Sequence, residues 1–562
     1  MGSGIIYMCS KISRIFKKKK KQPLPIETPF VLPSALPSWP AGEGFATGVI
    51  DLGGLQIRQV STFTKIWAAK EGGPDNLGAA FFEPNAIPDG FFMLGSYSQP
   101  NNKPLSASVL VGGGAAATDA LKPPTDYTLV WSSEGLKINQ DGAAYIWLPT
   151  PPDGYRAVGS VVTSSPAKPA LDKIRCVRAD LTDLTDSIEH EDWIWGSSSG
   201  FSVYTSRPKN RGRGGLGVPT NTFLASRNGS DFGVVCLKNS AAATSAAMED
   251  DSDQIKVTAM PNSDQIKALI ETYSPRIYFH PNEQYLPSSV TWFFQNGALL
   301  YTKGEESKPV AIDAAGSNLP QGGGNDGLYW IDLPADNAAR ERVKKGDLST
   351  ANAYIHVKPM FGGTFTDLVF WLFYPFNGAA KAKVEFLNIG LGRIGEHVGD
   401  WEHVTLRISN MDGELKRMYF AQHSKGEWVD ASGLEFADGN RPVAYASFHG
   451  HAAYHKAGLV LSGNGSVGIR NDSGKGKMFM DCGVRYEVIS EGEAGWVEYR
   501  REWGPKISYS FDEEVRKVEK VLPGKLKSAF DKAVRSLPNE VLGEEGPTGP
   551  KGKDSWLGDE SS

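Results

Sequence analysis

The densest group of side chains able to do chemistry is Gly395-Glu396-His397-Val398-Gly399-Asp400-Trp401-Glu402-His403-Val404. If a strand begins at Asp400, the period of two puts Asp400 and Glu402 on one face and Trp401 and His403 on the other. Same-face carboxylates stand roughly 7 Å apart and repel. A divalent cation between them, calcium or magnesium, offsets that repulsion through oxygen coordination. His397 arrives from a Gly-flanked turn as a third ligand. A second cluster, Ser447-Phe448-His449-Gly450-His451 with His455 close by, supplies His449 as a fourth. The expected metal site is therefore His397, Asp400, Glu402 and His449.

Two other readings of these residues stay open. A metal-bound water, or His403 with Glu402 as acid and base, could serve hydrolysis of a lipid or carbohydrate. No HExxH, GxSxG, GxxxxGK[ST] or GxGxxG pattern reinforces that chemistry, so a binding role is favoured over an enzymatic one. Alternatively the carboxylates and imidazoles only satisfy hydrogen bonds around Gly-rich turns.

The elements that must position this group are strands. Val369-Phe370-Trp371-Leu372-Phe373-Tyr374-Pro375 and Tyr273-Ser274-Pro275-Arg276-Ile277-Tyr278-Phe279 are aromatic and β-branched runs of strand length. The 63 Gly and 35 Pro of the 562 residues imply many turns and short strands. The first half is periodic. Thr64-Lys65-Ile66-Trp67 returns as Thr128-Leu129-Val130-Trp131, Pro88-Asp89-Gly90-Phe91 as Pro152-Asp153-Gly154-Tyr155, and Leu94-Gly95-Ser96 as Val158-Gly159-Ser160. The offset is the same throughout, and it carries Trp131 onto Trp195, so three β units are expected with the tryptophans as repeated core anchors. Glu513 to Leu526 and Leu526 to Leu537 have helical periodicity broken by Pro523-Gly524. Gly546-Pro547-Thr548-Gly549-Pro550-Lys551-Gly552 reads as a flexible turn or tail.

The predicted class is mainly β. Residues 1–40 form a basic amphipathic segment and Pro-rich connector, 41–240 a tandem β-repeat module, 241–263 a linker, 264–510 a β-sandwich-like domain, and 511–562 a helical coda with a flexible tail.

Charge is unevenly placed. Residues 1–21 carry Lys11, Arg14, Lys17, Lys18, Lys19, Lys20 and Lys21 and no acid, which leaves −12 on the remainder of a chain whose total is −5. Met8, Ile12, Ile15 and Phe16 share a helical face, so the segment predicts reversible attachment to an anionic membrane surface, with Cys9 open to palmitoylation. A solvated basic tail or localisation signal is the competing reading. The acidic body argues against nucleic-acid binding. Four scattered cysteines, no signal-peptide core and no apolar run of membrane-spanning length predict a cytoplasmic, peripherally membrane-associated protein.

Three resemblances add to this reading. Trp147 to Gly159, aromatic-x-Pro-x-Pro-Pro-x-Gly-Tyr-x-x-Val-Gly, resembles the adaptor-binding repeats of vacuolar protein sorting 13 lipid-transfer proteins. That likeness implies docking of proline-containing adaptor peptides, with Asn221 as a repeat-end partner-binding residue. His397-x-x-Asp400-Trp401-Glu402-His403-Val404, with Ser447-x-His449-Gly450 downstream, is similar to the necrosis-and-ethylene-inducing-peptide-like proteins. Those are β-sandwiches that bind sphingolipid headgroups with a divalent ion, and they commonly have a second histidine where Gly399 stands. Over nearly its whole length, including Trp39-Pro40-Ala41-Gly42-Glu43-Gly44-Phe45-Ala46, the chain resembles the plant family named for vacuolar protein sorting-associated protein 62, a domain of unknown function. Together these imply a trafficking-related protein that binds a lipid headgroup or an adaptor peptide, with a non-enzymatic scaffold whose β surfaces hold other proteins as a further alternative to the hydrolase.

Overall fold

The computed structural model describes residues 24–560 except 107, 114–118, 186–192, 198–199, 232, 243–258, 424, 465–466, 490–494, 507–509 and 536–546. The basic segment expected to meet a membrane, Cys9 to Lys21, lies outside the described residues. The protein is mainly β, as its residue pattern predicts.

In the first half each of the three repeats contributes a sheet whose first strand carries its tryptophan: Phe63–Ala69, Asp126–Ser132 and Trp193–Gly196. The three indoles meet. Ring centroids lie 5.7 Å apart for Trp67 and Trp131, 5.6 Å for Trp67 and Trp195, and 5.5 Å for Trp131 and Trp195. Three further sheets enclose a second core that holds Leu94, Val158 and Val177. Between the two cores the repeats cross at Gly95 and Gly159, where a Cβ on Gly95 would stand 2.7 Å from the Gly159 Cα. No larger side chain fits that crossing, which accounts for the repeated Gly. The Pro-Asp-Gly turns close alike, with Phe91 N–H donating to Pro88 O and Tyr155 N–H to Pro152 O, both at 3.0 Å.

The second half is built on a six-stranded sheet. Its two central strands, Phe365–Asn377 and His397–Ser409, pair antiparallel over their length, with Tyr374 opposite Asp400 and Trp371 opposite His403. Leu368, Phe370, Leu372, Val404, Leu406 and Ile408 face a core shared with helix Ser263–Tyr273 and with a smaller sheet containing Arg276–Tyr278 and Arg441–Ala446. Val369, Trp371, Phe373 and Trp401 face a second core on the opposite side. Burial on both faces is why Val369 to Tyr374 reads as a continuous apolar run rather than an alternating one.

Helices Phe511–Val521 and Gly524–Arg535 break at Pro523 as expected. Val515, Val518, Leu522, Leu526 and Phe530 pack them on a four-stranded sheet that includes the hairpin of Lys381–Val384 and Leu387–Gly390. The expected flexible tail is instead packed from Pro547 to Glu560. Trp503 N–H donates to Pro547 O at 2.7 Å, Pro550 is buried, and Trp556 enters the second core. Burial of an indole and of charged partners described below holds it there.

Candidate functional site

The strand carrying the acidic cluster starts with an irregularity that only glycine fits. Gly399 has φ +68, and a Cβ there would lie 2.2 Å from the Trp503 carbonyl oxygen. From Asp400 onward the strand alternates. Asp400 and Glu402 point into one cavity, while Trp401 stacks on Trp496 (5.3 Å between ring centres) and His403 faces the Glu560 carboxylate at 3.2 Å on the far side. Glu402 and His403 therefore do not share a site.

Asp400 is buried, with Oδ2 accepting a 2.8 Å hydrogen bond from His451 Nδ1. The other ring nitrogen of His451 lies 3.0 Å from Tyr285 O, and its ring stacks on Tyr374 at 3.9 Å. His451 takes this position with φ +53, in a tight turn closed by its own N–H donating to Ser447 O. Burial pushes the Asp400 carboxyl up, but the His451 hydrogen bond and the charges of His397, His451 and Lys553 outweigh it and hold Asp400 below the usual carboxylate range. Burial, together with the Asp400 and Glu402 charges, drives the Tyr374 phenol well above its ordinary value, so it stays protonated.

His397, Asp400 and Glu402 line a single cavity of about 340 Å³, together with His423, Lys425, Arg470 and Lys553. The ring Nδ1 of His397 is 3.2 Å from Gly399 O. His449 is not among the described lining. It stands between the lining residues Phe448 and Gly450, donates from Nδ1 to Ala379 O at 3.0 Å, and receives the Glu283 carboxylate on its backbone N–H at 2.7 Å. The structure thus brings together three of the four expected ligands. Among the described residues, no three His, Cys, Asp or Glu side chains stand close enough to hold an ion by themselves.

His451, which fixes Asp400, was missed by sequence reasoning, although the His-Gly-His spacing placed it two residues from His449. Asn221 has φ +60, and its amide donates to Ser108 O at 2.9 Å. It lies on the wall of a second cavity, of about 530 Å³, between the two halves.

A family profile described as vacuolar protein sorting-associated protein 62 matches residues 26–560. The chain belongs to that family. Membership in the vacuolar protein sorting-associated protein 62 family implies a role related to vacuolar sorting. No curated protein matches this family member. Among solved structures it is similar to GNIP1Aa from Chromobacterium piscinae, at 18% identity over 36% of this chain and 42% of that one, with a TM-score of 0.28. It is also similar to NLPPya in complex with mannosamine, at 17% identity over 35% and 70% of the two chains, with a TM-score of 0.19. A third is necrosis and ethylene inducing protein 2 from the causal agent of cocoa's witches' broom disease, at 16% identity over 32% and 74%, with a TM-score of 0.16. The chain spans less than half the length of the Chromobacterium protein. No helix among the described residues is long and apolar enough to cross a membrane.

Proposed function

We propose that this vacuolar protein sorting-associated protein 62 family member is a non-enzymatic peripheral factor that reads an anionic lipid headgroup in the Asp400 cavity with the help of a divalent cation. The observation that carries this reading is that Asp400, Glu402 and His397 line the same cavity as Lys425, Arg470 and Lys553. The carboxylates hold the cation, which supplies charge for headgroup oxygens, and the basic side chains neutralise the remaining negative charge. Asp400 is positioned by His451, so the oxygen that is not bonded to His451 is the one presented to the ion.

The neighbouring hairpin supports a membrane location. Phe386 is 78% exposed at its tip, and Lys381 and Lys383 lie on its stem beside Arg470 of the cavity-lining strand. An exposed aromatic ring above basic residues matches an interface of acyl chains and anionic headgroups. The segment of Lys11 to Lys21 acts as an accessory anchor, and the protein works from the cytosolic face.

Flotation of the full chain with anionic and with sphingolipid-rich vesicles, in magnesium, calcium or chelator, tests this. Binding should require the ion and fall at least about tenfold in Asp400→Asn with folding intact. Binding equal in chelator, or unchanged by Asp400→Asn, would remove the cation site from the mechanism.

A further inference from the structure

The outer face of the six-stranded sheet carries an unusual row of buried polar side chains. His356 and Lys358 lie on strand Ala353–Met360, Asp367 on the next strand, and His403, Thr405 and Arg407 on the one after; Lys358, Asp367 and Thr405 are fully buried. Buried charges are costly unless paired, and an apolar face would cover this sheet at lower cost. Within the sheet, Arg407 donates to the Asp367 carboxylate from Nε at 2.9 Å and from Nη2 at 2.8 Å.

Residues 553–560 supply partners for Lys358, Arg407, Thr405 and His403 and a stacking ring for His356. The Trp556 ring stacks on His356 at 3.8 Å, and Lys358 Nζ donates to Ser555 O at 2.7 Å and Gly558 O at 2.8 Å. Arg407 Nη2 donates to the Asp559 carboxylate. Thr405 Oγ1 donates to Glu560 Oε1 at 2.7 Å, and His403 Nε2 faces both Glu560 oxygens at 3.2 Å. An aromatic anchor followed three and four residues later by two acids thus meets an aromatic slot and a row of cationic donors.

The groove does not stop at Glu560. Asp559 and Glu560 form part of the wall of the 530 Å³ cavity between the halves. On the repeat-module side that cavity is lined by Ser98 and Ser206, both buried, whose hydroxyls have no hydrogen-bond partner among the described residues. This cavity gives a ligand room beside the contacts that residues 553–560 make.

We infer that this groove and the cavity beyond it form a docking site for an acidic peptide of the type Trp-x-x-Asp-Glu, which residues 553–560 occupy in cis and a partner's segment occupies in trans. The inference uses the contacts of Ser555 to Glu560 on the opposite face of the Asp400 strand and not the headgroup cavity, which Lys553 at the start of the segment lines. Charge complementarity selects the acidic peptide: Lys358, Arg407 and Arg211 face its carboxylates and carbonyls. The covalently attached segment competes at high effective concentration, so a partner peptide enters only when the cis contacts are weakened.

The test uses the full chain and a fluorescein-labelled peptide with the sequence of residues 550–560. Fluorescence anisotropy should show the peptide binding the Asp559→Asn, Glu560→Gln double variant at least about tenfold more tightly than wild type, and less tightly as salt rises. A peptide with alanine for the tryptophan and amides for the acids should bind neither protein. No binding to a variant that melts cooperatively would overturn the inference, as would equal binding of the control peptide. So would a concentration-dependent dimer without peptide binding, which would assign the groove to a second copy of this chain. Should the double variant fail to fold, wild type is treated with excess peptide carrying a photoreactive phenylalanine at the tryptophan position. Crosslinks at His356 support the site, and their absence there overturns it.

Discussion

Asp400 and His451 come from distant parts of the second half and meet in a 2.8 Å hydrogen bond, with the other nitrogen of His451 3.0 Å from Tyr285 O. Both ring nitrogens of His451 are thus taken up by protein oxygens. The imidazole therefore orients a carboxylate rather than presenting a basic nitrogen to the cavity, which fits binding better than general-base catalysis. His451→Ala should leave Asp400 buried without its donor. We expect weakened ion response, read by calorimetric titration with magnesium, and a loss of about 3 kcal/mol of stability in a denaturant melt.

Acid should release the carboxyl-terminal segment. Burial pushes the Glu560 carboxyl up, but His403, Lys358 and the Thr405 hydroxyl overcome this and bring it down from 4.5 to about 2. A carboxyl lowered on folding contributes stability that is present above its unfolded value and is lost as pH falls through the folded one. The window is thus from about pH 4.5 down to about pH 2, and the shift corresponds to roughly 3 kcal/mol. Glu560→Gln should lower stability at pH 7 and flatten this part of the profile. An unchanged slope in the variant would assign the acid sensitivity to other carboxylates.

Much of this was legible in the residues because it depends on period and repetition. Alternation from Asp400 separates Asp400 and Glu402 from His403, and the structure keeps that separation. The common offset brings Trp67, Trp131 and Trp195 together because repeats related in sequence place equivalent side chains at one core. The carboxyl-terminal segment was not legible. Its turns are local, but its place is set by partners such as Lys358 and Arg407, about 150 to 200 residues earlier in the chain. His451 was hidden for a related reason: with φ +53 on a turn, it obeys neither the strand nor the helix period that pattern reading uses.

Gly399 should resist replacement by the histidine that is common at this place in the necrosis-and-ethylene-inducing-peptide-like proteins. Its φ of +68 disfavours any side chain, and a Cβ would collide with the Trp503 carbonyl at 2.2 Å. Gly399→Ala and Gly399→His should each cost more than about 1 kcal/mol, because a side chain is strained at this positive φ and backbone must move as well. A melting temperature equal to wild type in Gly399→Ala would show that the Trp503 segment gives way freely.

The three-tryptophan core offers a sharper stability contrast. Trp67 is fully buried against Trp131 and Trp195, so Trp67→Ala should cost about 3 to 5 kcal/mol. Leu129, two residues before Trp131 on the same strand, is 46% exposed, and Leu129→Ala should stay within about 0.5 kcal/mol of wild type. Chemical denaturation followed by tryptophan fluorescence measures both, and similar losses would mean that the indoles do not anchor the repeats.

Phe386 separates membrane contact from folding. Its ring is 78% exposed at the hairpin tip, so Phe386→Ser removes almost no buried surface and should leave the melting temperature within error. If the ring enters the headgroup and acyl boundary, the loss of that apolar contact, worth about 2 kcal/mol, should weaken vesicle binding roughly thirtyfold. Binding of isolated headgroup in the cavity should be untouched, since Phe386 is not part of its described lining. Equal vesicle binding by Phe386→Ser and wild type would place the hairpin away from the bilayer, while parallel loss of headgroup binding would show that the hairpin shapes the cavity.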